Sequence, residues 1–300
     1  MKIEIKSMGG AVLFAHECEA NTIKLTVEAA VSRGVDLRRA DLSGADLRYA
    51  KLAGVDLRYV KLAGAILRSA DLSGVDLSYS NLSGADLGCS ELPGADLSFS
   101  DLSGIDLGFS NLSGARLRSS TLRSSNLSGA NLSGANLSYA NLSYVDLSCS
   151  DSSGAGLGCS NVSGADLSFS NLSGVDFSGA SLHNSNLSGA RLPGANLSYV
   201  DLRRATLDGA YLGGVVIDGG EKLIHGRPIL QLGPLSARDV YLFVYFTNAG
   251  VRVRVRVNGG YWFGSAPAFE ALVLAKPDDF YYVAEYRAAL EALKEHVNEK

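Results

Sequence analysis

Three triplets spaced twenty residues apart, Asp56-Arg58-Tyr59, Asp76-Ser78-Tyr79 and Asp96-Ser98-Phe99, repeatedly place a carboxylate beside an aromatic or its equivalent corner. A column of such carboxylates would dock a basic partner or imitate the phosphates of duplex DNA; the bland alternative is a solvated face. A second set lies in the tail, where Tyr241, Phe243 and Tyr245 can pair across a hairpin with Arg256, Arg254 and Arg252. Exposed cation–π pairs of this kind are worth about 0.5–1 kcal/mol each, and such a face could hold a phosphate backbone and stack bases. It could equally be the solvated side of the hairpin, or be covered by a helix around Ala268–Ala275.

Catalytic chemistry finds little support. His16, His183, His225 and His296 are scattered over three segments, no Gly-x-Ser-x-Gly elbow occurs, and no Cys or His pair has metal-ligand spacing. Gly154-Ala155-Gly156-Leu157-Gly158 imitates a nucleotide loop, but without the strand-to-helix switch that such a loop needs. The expectation is no enzyme, no cofactor and no metal.

The elements that carry these residues follow from a five-residue beat that holds one register from Val35-Asp36-Leu37 to Val215-Val216-Ile217. Each unit reads small residue, Asp or Asn, Leu, then two small or polar residues. In an extended segment alternate side chains share a face, so the small residue and the Leu point inward and the Asp or Asn points out. An odd period would throw the next Leu to the wrong face, so the chain must turn a corner in every unit. Gly follows at the third turn position, and Leu92-Pro93-Gly94 and Leu192-Pro193-Gly194 carry the Pro-Gly pair of a type II turn. Gly54 to Gly214 recur at every twentieth residue, which stacks them in one column only if four units make a coil. The beat therefore predicts a four-sided tube of about nine coils, about 40–45 Å long at the spacing of paired strands.

Residues 35–218 resemble the pentapeptide repeat family, whose members form right-handed quadrilateral β-helices. The flanking segments resemble those of phage and prophage members. The expected fold class is thus an all-β solenoid with a short N-terminal cap and a small C-terminal α+β domain.

Stacked coils leave an unpaired edge at each end, and residues 1–34 are suited to cover one. Lys2–Ile5 and Ala11–Phe14 read as a hairpin around Gly9-Gly10, and Thr26–Val31 as a short helix ending at Gly34. In residues 219–300 the beat stops. Val240–Phe246 and Val251–Val257 read as an antiparallel hairpin with Phe246 opposite Val251, Ile229–Leu232 as a third strand, and a helix after Asp278-Asp279 carries Val283, Tyr286, Leu290, Leu293 and Val297 on one stripe.

The net charge of −4 is too mild to drive nucleic-acid binding by itself. No leader-like segment or membrane-length apolar run is seen, so a cytoplasmic location and no membrane contact are expected. Cys89, Cys149 and Cys159 fall on outward corners; Cys89 and Cys149 would be about 14 Å apart, beyond the roughly 7 Å a disulfide allows, and free thiols are expected.

Two functions fit. One is a non-enzymatic scaffold whose C-terminal domain binds an unidentified protein or makes a homo-oligomer. The other comes from the resemblance: some family members inhibit DNA gyrase by imitating DNA. Here Arg116, Arg118 and Arg123 interrupt the acidic columns, no loop projects from the register, and a sizeable tail replaces a short dimerising helix.

Overall fold

The structure, a computed structural model, describes residues 1–217 and, in the tail, the strands given below with residues 267, 268, 270 and 271. The chain divides into two compact units, Met1–Ala210 and Tyr211–Lys300.

One pentapeptide explains the first unit. In Ala40-Asp41-Leu42-Ser43-Gly44 the Leu42 and Gly44 N–H groups donate to Lys61 and Ala63 of the next coil, at 2.8 and 2.9 Å. The Lys61 N–H donates back to Ala40 at 2.9 Å, and the Ala45 N–H closes the corner onto the Leu42 carbonyl at 3.0 Å. That leaves the Ser43 N–H, which donates to Asp41 Oδ1 at 3.2 Å. With Lys61 and Ala45 standing for the Asp and Ala slots of their own units, every slot of the repeat has its donor used, four onto backbone and one onto the outward side chain. The same bond recurs from Ser83 to Asn81 and from Ser188 to Asn186. The repeated Asp or Asn therefore does more than face solvent: it satisfies the corner N–H as an Asx turn.

Bridges join residues twenty apart from Asp41↔Lys61 to Asn186↔Thr206, so each coil has four sides. The walls are numbered here by their central residues: first (Leu57, Leu77, Leu97), second (Leu62, Leu82), third (Leu67, Leu87) and fourth (Leu72, Leu92). Every central side chain from Leu37 to Leu202 is buried, including Ser152, Val162 and Phe177. Serines in the inward small slot are also buried and satisfied, as where the Ser100 hydroxyl donates to the Leu77 carbonyl at 2.7 Å and the Ser120 hydroxyl to Leu117 at 2.6 Å.

The fourth-wall glycines Gly54 to Gly214 have φ between +61° and +71°. Positive φ at the third position alone, with the bond back to the first residue, is the type II turn that the Pro-Gly pairs predict. The other three walls also place Tyr59, Cys89, Phe109, Tyr144 and other non-glycine residues at φ of +55° to +61°. Three interstrand bonds per unit hold these corners, and their side chains lie outside the coil, so the cost is the intrinsic left-handed penalty of about 1–2 kcal/mol.

Where an aromatic ring occupies a corner, it leans over the corner of the next coil. A Cβ added to Gly129 would lie 2.7 Å from the Phe109 ring, whereas one added to Gly134 meets nothing within 4 Å. Gly134→Ala is expected to cost about 1 kcal/mol, the left-handed term alone, and Gly129→Ala measurably more. In a Phe109→Ala background the two should become equal in denaturant titrations.

The N-terminal segment pairs β1 (Lys2–Ser7) with β2 (Val12–Glu17), with a register shift after Ile5. Helix α1 (Ile23–Ser32) starts three residues before the expected Thr26, because Thr22 accepts the Leu25 N–H at 3.2 Å as its N-cap. It ends at Gly34, φ +66°, with the Val35 N–H donating to Ala30. β1 also pairs antiparallel with β3 (Ala40–Asp41), and Glu28 of α1 accepts the Lys51 N–H at 3.0 Å, so hairpin and helix both occupy donors on the edge of the first coil.

In the second unit, β4 (Leu230–Leu232), β5 (Tyr241–Thr247), β6 (Gly250–Val257) and β7 (Gly260–Ser265) form one antiparallel sheet in that order. Phe246 pairs with Val251 in the predicted register. β7 was not foreseen, since Gly260, Gly264 and the short run between them hide its strand pattern. The predicted helix beyond Asp279 lies outside the described residues, as does most of Ala268–Ala275.

Candidate interaction surface

The outward side of the first wall presents an ordered run of aromatic and charged side chains. Its corner residues Tyr59, Tyr79 and Phe99 form a stack with centroids 5.3 and 5.0 Å apart and planes 18° and 5° apart. About half of each is exposed, at 42, 51 and 48%. The spacing is that of adjacent strands, so the ladder is a direct consequence of the coil's rise. The Arg39 guanidinium lies 5.6 Å from the Tyr59 centroid and closes the lower end. Sequence reasoning missed Arg39, although it sits one coil below Tyr59 in the same slot.

Beside the ladder, Asp56, Asp76 and Asp96 line up as expected and Asp36 joins them through Arg38, but none stands alone. Arg38 pairs with Asp36 at 2.6 Å and reaches Asp56 at 4.0 Å; Arg58 pairs with Asp56 at 2.7 Å and reaches Asp76 at 3.6 Å. Arg116 meets Asp96 at 3.1 Å from the coil above. The expected column of carboxylates is therefore an alternating ion-pair column. These pairs are exposed and contribute little to stability. Their electrostatic signature is clear all the same: hydrogen bonds from Arg38, first its side chain and then its backbone N–H, hold the Asp36 carboxyl at about 2, and the Arg58 side chain lowers Asp56 in the same sense.

A depressed folded-state carboxyl contributes stability above its unfolded pKa and loses it as pH falls through the folded value. Carboxyl NMR titration should thus find Asp36 ionised until the pH approaches about 2, and Arg38→Gln should raise its midpoint toward the ordinary range near 4 but leave it below that range, because the residue-38 backbone N–H still donates to the carboxylate.

In the tail, the register sets Tyr241, Phe243 and Tyr245 opposite Arg256, Arg254 and Arg252, and on the other side of β6 pairs Arg256 with Tyr261 and Arg254 with Phe263. Each of these two arginines thus has an aromatic register partner on both neighbouring strands. Among the described residues, no group of His, Cys, Asp and Glu could hold a metal ion, and no helix is long and apolar enough to cross a membrane. The four cysteines are free.

Coils of four pentapeptides with one parallel ladder per side define a quadrilateral β-helix. The family model for pentapeptide repeats matches residues 30–58, 50–88, 90–129, 115–151, 160–198 and 185–219, and the chain belongs to this family, whose members fold as right-handed quadrilateral β-helices. Proteins of the family are generally structural or interaction proteins.

Among solved structures the chain is similar to HetL, a pentapeptide repeat protein involved in heterocyst differentiation regulation from the cyanobacterium Nostoc sp. strain PCC 7120. The identity is 30%, covering 66% of this chain and 98% of HetL, with a TM-score of 0.39. It is also similar to QnrB1 (trypsin treated), a plasmid-mediated fluoroquinolone resistance protein, at 23% identity over 60% of this chain and 91% of that one, TM-score 0.49. A third is alr5209 from Nostoc PCC 7120, at 36% identity over 43% and 84%, TM-score 0.18. Comparison with curated protein sequences found no match.

Proposed function

We propose that the protein is a non-enzymatic interaction scaffold: a rigid coil of about nine turns over residues 35–218, capped by residues 1–34, with residues 219–300 as an α+β binding or oligomerisation domain in a cytoplasmic protein. One observation supports this above the rest: Tyr59, Tyr79 and Phe99 form a half-exposed stack beside an alternating row of charges. A rigid coil loses little entropy when its wall is covered, and a pre-ordered aromatic strip is the kind of contact that anchors protein interfaces. The tail residues Tyr241, Phe243, Tyr245, Arg252, Arg254 and Arg256 are the second contact set. Affinity capture should recover a partner with the wild type and lose it when Tyr59, Tyr79 and Phe99 are all changed to Ser at unchanged circular dichroism. Equal capture by the triple variant would remove the ladder from the interface.

The alternative is a DNA-mimic inhibitor of DNA gyrase, and what favours it is the one-coil spacing of Asp56, Asp76 and Asp96. The arginine on each of these carboxylates counts against it. A supercoiling assay decides: inhibition that vanishes when all three become Asn supports mimicry, and no inhibition by the wild type rejects it.

A further inference from the structure

Residues 115–134, one full coil, carry no carboxylate at all; their only charges are Arg116, Arg118 and Arg123. The coils directly below and above hold Asp96, Asp101 and Asp106, and Asp146 and Asp151. The same coil lacks an aromatic corner, having Ser119, Ser124, Gly129 and Gly134, while Phe99 and Phe109 stand below it and Tyr139 and Tyr144 above. A basic belt in an acidic chain thus coincides with a missing rung in the aromatic ladder.

The stack Tyr59-Tyr79-Phe99 stops at this rung. Ser119 has the same corner conformation as the rings below it, φ +57°, but its short side chain leaves the next stacking position unfilled, and among the described residues no ring or guanidinium stacks on the upper face of Phe99. The next ring on the wall is Tyr139, two coils up and so about 10 Å away. Arg118 lies between, with its guanidinium 5.4 Å from the Tyr139 centroid. Neither Arg118 nor Arg123, on adjoining walls of the same coil, has an acidic partner among the described residues, and both are exposed. The nearest carboxylates below are engaged: Asp96 by Arg116 at 3.1 Å, and Asp101 by the Ser103 N–H and hydroxyl at 3.0 and 2.6 Å.

An open aromatic face with the uncompensated Arg118 on the coil above it, and Arg123 one corner further round the same coil, suits a ligand that is planar at one end and anionic at the other. We propose that this coil binds a nucleotide, free or within a single strand, its base stacked on Phe99 and its phosphate held by Arg118 and Arg123. Phe99 offers a face that every base can use, and the arginines offer planar donors matched to phosphate oxygens. Duplex DNA fits poorly because its bases are already stacked. The site shares Phe99 with the protein-docking reading but uses neither Tyr59 nor Tyr79, so a chain that captures no partner along the lower rungs would still bind here.

The test uses the full chain with two labelled probes, adenosine 5′-monophosphate and a short oligodeoxyadenylate, followed by fluorescence anisotropy at low salt. Phe99→Ser should weaken binding about tenfold, the scale of losing one base–aromatic contact. Arg118→Ala with Arg123→Ala should weaken it further and flatten its salt dependence by about two phosphate contacts. Tyr49→Ser, on the third wall, should change nothing. All four substituted side chains are on the surface, and thermal melts confirm folding. Comparable binding of both probes marks a free-nucleotide site, and binding of the oligonucleotide alone marks a strand site; either supports the proposal. No binding of either probe overturns it, as does binding lost with the arginines but indifferent to Phe99→Ser, which is the behaviour of a nonspecific polyanion site or one for acidic peptide.

Discussion

Leu107→Ala is expected to lower the free energy of unfolding by about 2–5 kcal/mol, the usual range for deleting a fully buried leucine. Leu107 is completely buried in mid-coil between Leu87 and Leu127, and its own N–H is tied to Asn126 of the next coil at 2.7 Å. Collapse around the missing methyls would require shifting strands bonded above and below, so most of the cavity should persist. Because each coil rests only on its neighbours, a central loss weakens the coupling of both halves. The adjacent outward residue provides the contrast. Asp106 accepts the Gly108 N–H and the Asn126 side-chain amide, both at 2.9 Å, so Asp106→Ala should cost about 1 kcal/mol, as for ordinary net hydrogen bonds near the surface. Denaturant titrations of the two variants measure the difference directly; equal losses would mean that the coil is held by its corners rather than its leucines.

Much of this was legible in the sequence, for physical reasons that apply to particular residues. An odd repeat must turn a corner, Pro93-Gly94 names the corner type, and Gly54 to Gly214 count the sides. What stayed hidden depends on side-chain direction. Arg58 and Asp56 are two residues apart on an extended segment and therefore share a face, but the same spacing is compatible with a bare carboxylate column; the structure gives the nearer arginine the decisive contact. The left-handed Tyr and Phe corners were not legible either. Local preference opposes them, and only the interstrand bonds on both sides of the corner override it. The Asx bond from the Ser43 N–H to Asp41 was hidden for a similar reason: an outward carboxylate looks solvated until the corner N–H is found to have no other acceptor.

The remaining prediction concerns the one interruption of the leucine column. Ser152 is buried where Leu132 one coil below and Leu172 one coil above fill the same position, and its hydroxyl has only Ser150 Oγ nearby, 3.5 Å away and at the limit of hydrogen-bond geometry. A serine is smaller than the leucine it replaces, so the position is short of volume. Phe177, the only phenylalanine in a central slot, is completely buried one coil up and one side round, where its extra volume can compensate. Ser152→Leu should therefore overpack against the ring and Phe177→Leu should open a cavity, each costing about 1–3 kcal/mol. The double variant restores the regular leucine column and is expected to be at least as stable as the wild type. In a double-mutant cycle this appears as a coupling energy that cancels both single losses. Additive losses would show that the two side chains share no volume, and the wide ring at Phe177 would then be accommodated by its own wall alone.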